Sequence, residues 1–282
     1  MDELSIVEIN RITESIKKSQ GIDFSNYAFS SLRRRLIRFI EINKIRDINN
    51  LIHNIMSDKS YADRLIEEIT VNVTEMFRDP SFWVELRDRV LQQLAKNNSI
   101  NIWIAACSTG EEVLSMTIML REANLLGKSK ILATDINHSA LEVARKGKYK
   151  LKNQENNSKN YQQFRGISNL SDYFEIDDDS VQFDLTLTGN VEFRQHDLTQ
   201  GAAGSSFDLI LCRNVLIYFN SVLQDKVINS FHHNLSDNGF LAIGSKESIQ
   251  WCKAACYFRE ESFDEKIYMK ISGTNRYNSM VI

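Results

Sequence analysis

Two glutamates, Glu111 and Glu112, follow the glycine turn Ala106-Cys-Ser-Thr-Gly110, where the apolar run Ile100 to Ala106 gives way to an amphipathic stretch. In open α/β sheets ligands bind beyond the carboxyl ends of the strands, and small residues such as Ala106, Ser108 and Gly110 let a ligand approach the backbone. The next apolar run, Lys130 to Thr134, leads into Asp135, an acid placed to accept both hydroxyls of a ribose. Two later segments end near the same crevice: Val191 to Leu198, which brings Asp197 and Leu198 to an adenine ring and its amino group, and Phe207 to Phe219, which carries Arg213, Asn214 and Tyr218. An Arg-Asn pair after an apolar run is poor core material, because a buried guanidinium without a partner is costly. The bland alternative for that pair is a surface turn.

The acids select among nucleotides. A pyrophosphate on a helix N-terminus needs open amides, and Glu111 and Glu112 would repel it. A donor with an adenosine end, no phosphate and an ammonium group tolerates those acids and pairs with one. S-adenosylmethionine fits this description better than a nicotinamide dinucleotide does. Taken without a ligand, the same glutamates simply complement a helix dipole.

Apolar residues recur at helical spacing from Ser5 to about Leu94, as in Leu32, Leu36, Phe39 and Ile40, and again in Leu65, Ile66 and Ile69. Asp79-Pro80 is a start signal, with Asp79 as cap and the only proline at the first helical position. After Asn97-Asn98-Ser99, short apolar runs alternate with amphipathic stretches, the pattern of a parallel sheet wrapped by helices. Ile100 to Ala106 and Lys130 to Thr134 are expected as strands, and a helix is expected over Glu111 to Leu126, stopped by Gly127. Phe207 to Cys212 and Gly239 to Ile243 add two more strands around a helix over Ser221 to Leu235. Alternation in Val181 to Phe193 predicts an antiparallel hairpin turning at Gly189-Asn190. The fold class is therefore α/β, a Rossmann-like domain behind an all-α N-terminal domain, with a small antiparallel β insertion. The expected division is 1–78 helical domain, 79–98 linker helix and 99–282 catalytic domain, with the insertion at about 173–195 and a frayed tail over Gly273 to Ile282.

The 282 residues suffice for about two domains, and a net charge of -3 spreads no field of one sign over the surface. Neither a secretory start nor an apolar run of membrane-spanning length is evident, so a cytoplasmic protein without membrane insertion is expected. Four irregularly spaced cysteines suit free thiols rather than a disulfide framework. Cys252 and Cys256 would share a helix face if helical, but adjacent His232 and His233 are poor partners for them, so no metal is expected.

Three separated motifs resemble the CheR family of chemoreceptor methyltransferases, over about Ile9 to Lys270. They are Asn72-Val-Thr-Glu-Met-Phe-Arg78, Ala106-Cys-Ser-Thr-Gly-Glu-Glu112 and Cys212-Arg-Asn-Val-Leu-Ile-Tyr-Phe219. The resemblance implies a cofactor site to which Asn72, Thr74 and Arg78 contribute from the linker side, with Ala106, Glu112, Asp135, Asp197, Leu198 and Asn214 lining the crevice. It assigns Arg78 to the cofactor carboxylate, Glu112 to its amino group and Asp135 to the ribose, with Arg213 and Tyr218 at the substrate side chain. Three places depart from the family pattern: Val113-Leu114-Ser115 for Pro-Tyr-Ser, Met76-Phe77 for paired phenylalanines, and Gly244-Ser-Lys-Glu247 for Gly-His-Ser-Glu.

The implied reaction is methyl transfer from S-adenosylmethionine to glutamates on the cytoplasmic helical bundle of a chemoreceptor, leaving S-adenosylhomocysteine and a methyl ester. A carboxylate needs no general base near neutral pH, so the lack of a catalytic histidine is no objection. Arg34, Arg35 and Arg38 form a basic helix face that could steer an acidic receptor region; a solvated face is the plain alternative. The acidic stretch Glu175 to Ser180 is shorter than in peptide-binding members, so no tether to a receptor C-terminal peptide is expected. A nucleic-acid methyltransferase would show a proline-rich catalytic element and a basic bias, and the sequence has neither. The remaining rival is a catalytically degenerate, cofactor-binding regulatory module in a chemosensory assembly.

Overall fold

The computed structural model describes residues 4–70, 74–201, 203–204 and 206–271. Asn72 and the tail from Gly273 lie outside the described residues.

Four helices build the N-terminal unit: α1 (Ile6–Gln20), α2 (Phe29–Ile42), α3 (Ile48–Ser57) and α4 (Lys59–Ile69). Each shows the same cause. Apolar residues three and four apart, such as Leu32, Leu36, Phe39 and Ile40 of α2, are buried in a core of their own with Ile12, Leu51 and Leu65. Starts are capped by side chains: Ser5 and Glu8 form a reciprocal capping box, and Asp47 and Asp58 cap α3 and α4. Gly21, left-handed at φ 73°, ends α1.

The chain then enters α5 (Pro80–Glu85), which runs through a π-helical segment, Leu86–Leu91, into α6 (Gln92–Leu94). Pro80 holds the first helical position as expected, but Asp79 makes no side-chain capping hydrogen bond. Its backbone is left-handed at φ 54°, and its carboxylate goes to Arg213 instead, 2.8 Å away.

The catalytic unit comprises β1 (Ile100–Ala105), α7 (Glu111–Glu122), β2 (Ser129–Asp135), α8 (His138–Lys146), β3 (Lys148–Lys150), α9 (Gln154–Phe164), β4 (Phe174–Asp177), β5 (Ser180–Phe183), β6 (Val191–Gln195), β7 (Phe207–Cys212), α10 (Ser221–Asn234), β8 (Leu235–Ile243), β9 (Phe258–Ser262) and β10 (Ile267–Lys270). A seven-stranded sheet has the order β6-β2-β1-β7-β8-β10-β9. Its first five strands run parallel, and β10 pairs antiparallel with both neighbours. The central strand is apolar on both faces, as a covered parallel sheet requires. Ile100, Ile102 and Ile104 enter one core, and Trp103 and Ala105 the other. Strand order reverses between β1 and β7, the position where such sheets open a crevice.

Two expectations need correction. α7 stops at Glu122, before Gly127, because Asn124 turns left-handed at φ 57°. The hairpin at Gly189-Asn190 does not exist: β6 pairs parallel with β2 in the main sheet, from Ile131 opposite Val191 to Asp135 opposite Gln195. The alternation there belongs to a half-exposed edge strand. Asp184 breaks the run before it by capping a 3-10 turn, Leu185–Leu187, while pairing with Arg121 at 2.7 Å. The small sheet, ordered β3-β5-β4, takes its hairpin turn at Asp178-Asp179 instead. The stretch 152–163, polar in sequence and without the strand and helix alternation around it, is largely the helix α9.

Between the two units the chain makes a short antiparallel bridge. Tyr27 lies opposite Phe219, Ala28 N donates to Tyr218 O at 2.7 Å, and Asn220 N donates to Asn26 O at 2.9 Å.

Candidate active site

The turns after β1, β2, β6 and β7 build one cleft beneath the helical unit. Ala106, Ser108, Glu112, Asp135, Asp197 and Leu198 line it from the sheet side, Arg213, Asn214 and Tyr218 from beyond β7, and Thr74 and Arg78 from the linker. Every described residue singled out from the sequence as contacting cofactor is thus in one place. Arg34, Arg35 and Arg38 do not line the cleft.

The turn after β1 is strained in a useful way. Ala106 and Ser108 are left-handed at φ 59° and 51°, as is Gly110 at 93°. A Cβ on Gly110 would stand 2.7 Å from Ala144 Cβ, so only glycine lets the turn press against α8. Phe77, Asp79 and Asn214 are also left-handed, at φ 50°, 54° and 61°. Non-glycine residues in this region cost on the order of 1 kcal/mol or more each and persist where the surroundings hold them, as at functional sites.

Asp135 is buried and fixed: Oδ2 accepts from Ser108 N at 2.8 Å and Oδ1 from Asn137 N at 2.8 Å. Burial raises its pKa, and the amides at Asn137 and Ser108 oppose the rise. Each carboxylate oxygen keeps a further lone pair for a ribose hydroxyl. Asp197 Oδ1 accepts from Thr199 N at 2.8 Å, whereas its Oδ2 is buried without a hydrogen-bond partner, as is Ser108 Oγ. A buried carboxylate oxygen without a donor is unfavourable, so these two atoms suit a ligand that brings polar groups to the cleft. The adenosine half of S-adenosylmethionine, with an amino group and a diol, has that chemistry.

Arg213 departs from its expected position facing an acceptor. Its side chain is only 1% exposed, donating to Glu112 Oε2 at 3.0 Å and to Asp79 Oδ2 at 2.8 Å. The guanidinium also lies 3.9 Å from the Phe82 ring centroid. Burial raises the Glu112 pKa and the Arg213 charge opposes that rise. Next to it, Asn214 N donates to Glu247 Oε2 at 3.0 Å, and the same oxygen accepts from Gly244 N at 2.6 Å. Glu247 thereby holds the left-handed turn that presents Asn214.

Arg35, outside the cleft lining, lies 5.9 Å from the ring centroid of Tyr218, which belongs to it. Arg38 pairs with Glu68 at 2.9 Å, and Arg34 is exposed on the same helix.

Two family models match this chain: the CheR methyltransferase SAM binding domain over residues 72–267 and the CheR all-alpha domain over residues 7–70. The chain belongs to the CheR methyltransferase family. A Pseudomonas putida protein named as a methyltransferase, Cher3, is 36% identical over 94% of this chain and 97% of its own length. The chemotaxis protein methyltransferase of Listeria monocytogenes is 31% identical over 84% of this chain and 88% of its own. That of Borreliella burgdorferi is 29% identical over 91% and 93%. The cofactor of this CheR-family chain is S-adenosylmethionine. Among the described residues no helix is long and apolar enough to cross a membrane, and no group of three or more potential metal ligands occurs. Cys252 is buried ahead of a short 3-10 helix, and Cys256 is exposed within it.

Sequence reasoning missed three residues of this CheR site. The sequence presents Asp79 as a cap, because Asp-Pro gives no hint of a left-handed backbone. Glu247 stands in the sequence only as part of a glycine motif; an acid three residues after a glycine at a strand end is the available signal. Tyr27, which lines the cleft from the helical unit, had no local signal at all.

Proposed function

We propose that the chain transfers the methyl group of S-adenosylmethionine to glutamate side chains on the cytoplasmic helices of chemoreceptors, forming methyl esters. The observation that carries this reading is Tyr218, which lines the cleft with the Arg35 guanidinium 5.9 Å from its ring centroid. A cation and a hydroxyl beside an acidic cofactor cleft suit an acceptor that arrives as a carboxylate. The names of the relatives from Listeria and Borreliella point to the same pathway class.

The bound cofactor supplies an electrophilic methyl group on a sulfonium sulfur. That methyl group would pass to the acceptor carboxylate oxygen, with sulfur leaving and keeping the electron pair of the carbon–sulfur bond. The two charges cancel, no proton moves, and no general base is needed. Rate enhancement then comes mainly from alignment, worth roughly 7 to 11 kcal/mol at best. Arg78 would hold the cofactor carboxylate, Glu112 its ammonium, Asp135 the ribose, and Asp197 with Leu198 the adenine, while Thr74, Ala106 and Asn214 line the rest of the cleft. Arg213 acts through Glu112 and Asp79, fixing the acid that meets the ammonium. Tyr218 orients the acceptor. Arg34, Arg35 and Arg38 steer an acidic receptor segment toward the mouth. Docking proceeds without a C-terminal peptide tether, and the protein works in the cytoplasm.

The test is transfer of labelled methyl from S-adenosylmethionine to membranes carrying receptors. Base-labile label on the receptor is the expected result. Cofactor binding with no transfer to any receptor would overturn this reading in favour of a regulatory module.

A further inference from the structure

The segment that carries Arg78 into the cleft has no regular structure of its own. Between Thr74 and Asp79 the chain forms neither helix nor strand, and Phe77 is left-handed at φ 50°. Met76 and Phe77 are nevertheless buried, so their peptide groups must find partners elsewhere. Those of Met76 find them on α9, the polar helix that stands in the chain between β3 and β4 of the small sheet. Asn157 Oδ1 accepts from Met76 N at 3.1 Å, and Asn160 Nδ2 donates to Met76 O at 3.0 Å.

The two asparagines lie one turn apart on one face of α9, as residues i and i+3 do. Together they bind both polar groups of a single residue, as a neighbouring strand would. Asn157 is itself buried, and its Nδ2 donates to Gln154 Oε1 at 3.2 Å, which leaves the amide oxygen for the linker. On the same helix Phe164 stacks on the Phe77 ring at 4.7 Å between centroids, and Tyr161 meets that ring edge-on at 5.1 Å. Ser115 Oγ of α7 accepts from Phe77 N at 2.8 Å. On the far side Arg78 O accepts from Trp83 Nε1 at 3.0 Å and Arg213 Nη2 at 3.3 Å. The aromatic contacts would satisfy packing alone; the two amides add direction, because they fix the Met76 peptide and with it the path of the chain into Arg78.

We infer that Asn157 and Asn160 are positioning residues for Arg78. By clamping the Met76 peptide they set the guanidinium where the amino-acid end of the cofactor arrives, so a helix that contributes nothing to the cleft lining governs cofactor affinity. The inference rests on the reading that Arg78 meets the cofactor carboxylate.

Calorimetric titration of the full chain with S-adenosylhomocysteine and with methylthioadenosine, which lacks the amino-acid end, tests it. Asn157→Ala and Asn160→Ala should each weaken S-adenosylhomocysteine by about 10-fold, the order of one hydrogen bond to a charged group, and leave methylthioadenosine unchanged. Asn160 is only half-buried, so its variant should keep the fold even where loss of Asn157 does not. Arg78→Ala should show the same split between the ligands, and adding Asn160→Ala to it should cost no further affinity. Unchanged S-adenosylhomocysteine binding in Asn160→Ala beside a defective Arg78→Ala overturns the clamp alone. An equal loss of both ligands in Asn160→Ala also overturns it, by assigning the effect to a general loosening of the cleft. So does a full further loss in the double variant, because the asparagines would then act without Arg78. If Arg78→Ala binds S-adenosylhomocysteine as wild type does, the role of Arg78 falls and the inference with it.

Discussion

Arg213 and Glu112, 101 residues apart in the chain, meet as an ion pair of 3.0 Å around a guanidinium side chain that is only 1% exposed. The pair ties the turn after β7 to the first turn of α7, and Asp79 extends it to the linker at 2.8 Å. Three segments far apart in sequence are thereby held in one register around the cleft. Removing one partner leaves a buried charge uncompensated, which typically costs about 3 to 5 kcal/mol. Arg213→Ala should lower the urea midpoint accordingly and weaken S-adenosylhomocysteine binding. Arg213→Lys should recover part of the stability, since one ammonium cannot reproduce the fork to both acids. An Arg213→Ala protein with wild-type midpoint and affinity would show that the network positions nothing.

Much of this arrangement is visible in the sequence because it is local. The turn Ala106 to Glu112, Asp135 at the end of a strand, and Arg213-Asn214 after another all follow from an apolar run and the residue types that end it. The pairing of β6 with β2 was not legible, since an edge strand and a hairpin arm share the same alternation and only the open edge of β2 decides between them. Nor was the direction in which Arg213 points. Burial of a guanidinium depends on two acids and the Phe82 ring, brought together by tertiary contacts that no spacing rule encodes.

Tyr218 is half-buried in the cleft lining, with Arg35 over its ring. If its hydroxyl orients the acceptor, Tyr218→Phe should reduce methyl transfer by about 100-fold or more, the range seen when one positioned donor is removed. Affinity for S-adenosylhomocysteine should stay near wild type. Steady-state rates beside calorimetry separate the two effects, and a near-normal rate would remove Tyr218 from the mechanism.

Gly244 has no room for a side chain. A Cβ there would lie 2.8 Å from both Asn214 Nδ2 and Glu247 Oε2, and 2.9 Å from Asn214 N. Asn214 is already held left-handed by the Glu247 carboxylate, so Gly244→Ala must push the turn or break that bond. Overpacking of this kind costs about 1 to 3 kcal/mol. Loss of cofactor affinity should accompany it, because the displaced residue lines the cleft. A stable variant with unchanged binding would show that the turn tolerates displacement.

Glu111 provides a pH test that is separate from the cleft. Burial pushes its carboxyl up to about 7, against the hydrogen bond from Thr109 Oγ1 at 2.6 Å, which favours the ionised form. An unfolded glutamate titrates near 4.5. Between those values the folded protein holds a proton that the unfolded chain releases, so this group makes stability fall as pH rises through the window and adds no further change above about 7. Glu111→Gln keeps an acceptor for Thr109 and removes the titration. The stability of the variant relative to wild type should therefore be near constant below about pH 4.5 and rise to a plateau above about pH 7, by at most on the order of 3 kcal/mol. Other buried acids, Asp135 and Glu247 among them, titrate in both proteins and cancel in the difference. Urea midpoints measured across the range decide the matter, and parallel curves for the two proteins would mean that Glu111 ionises in the folded state as readily as in water.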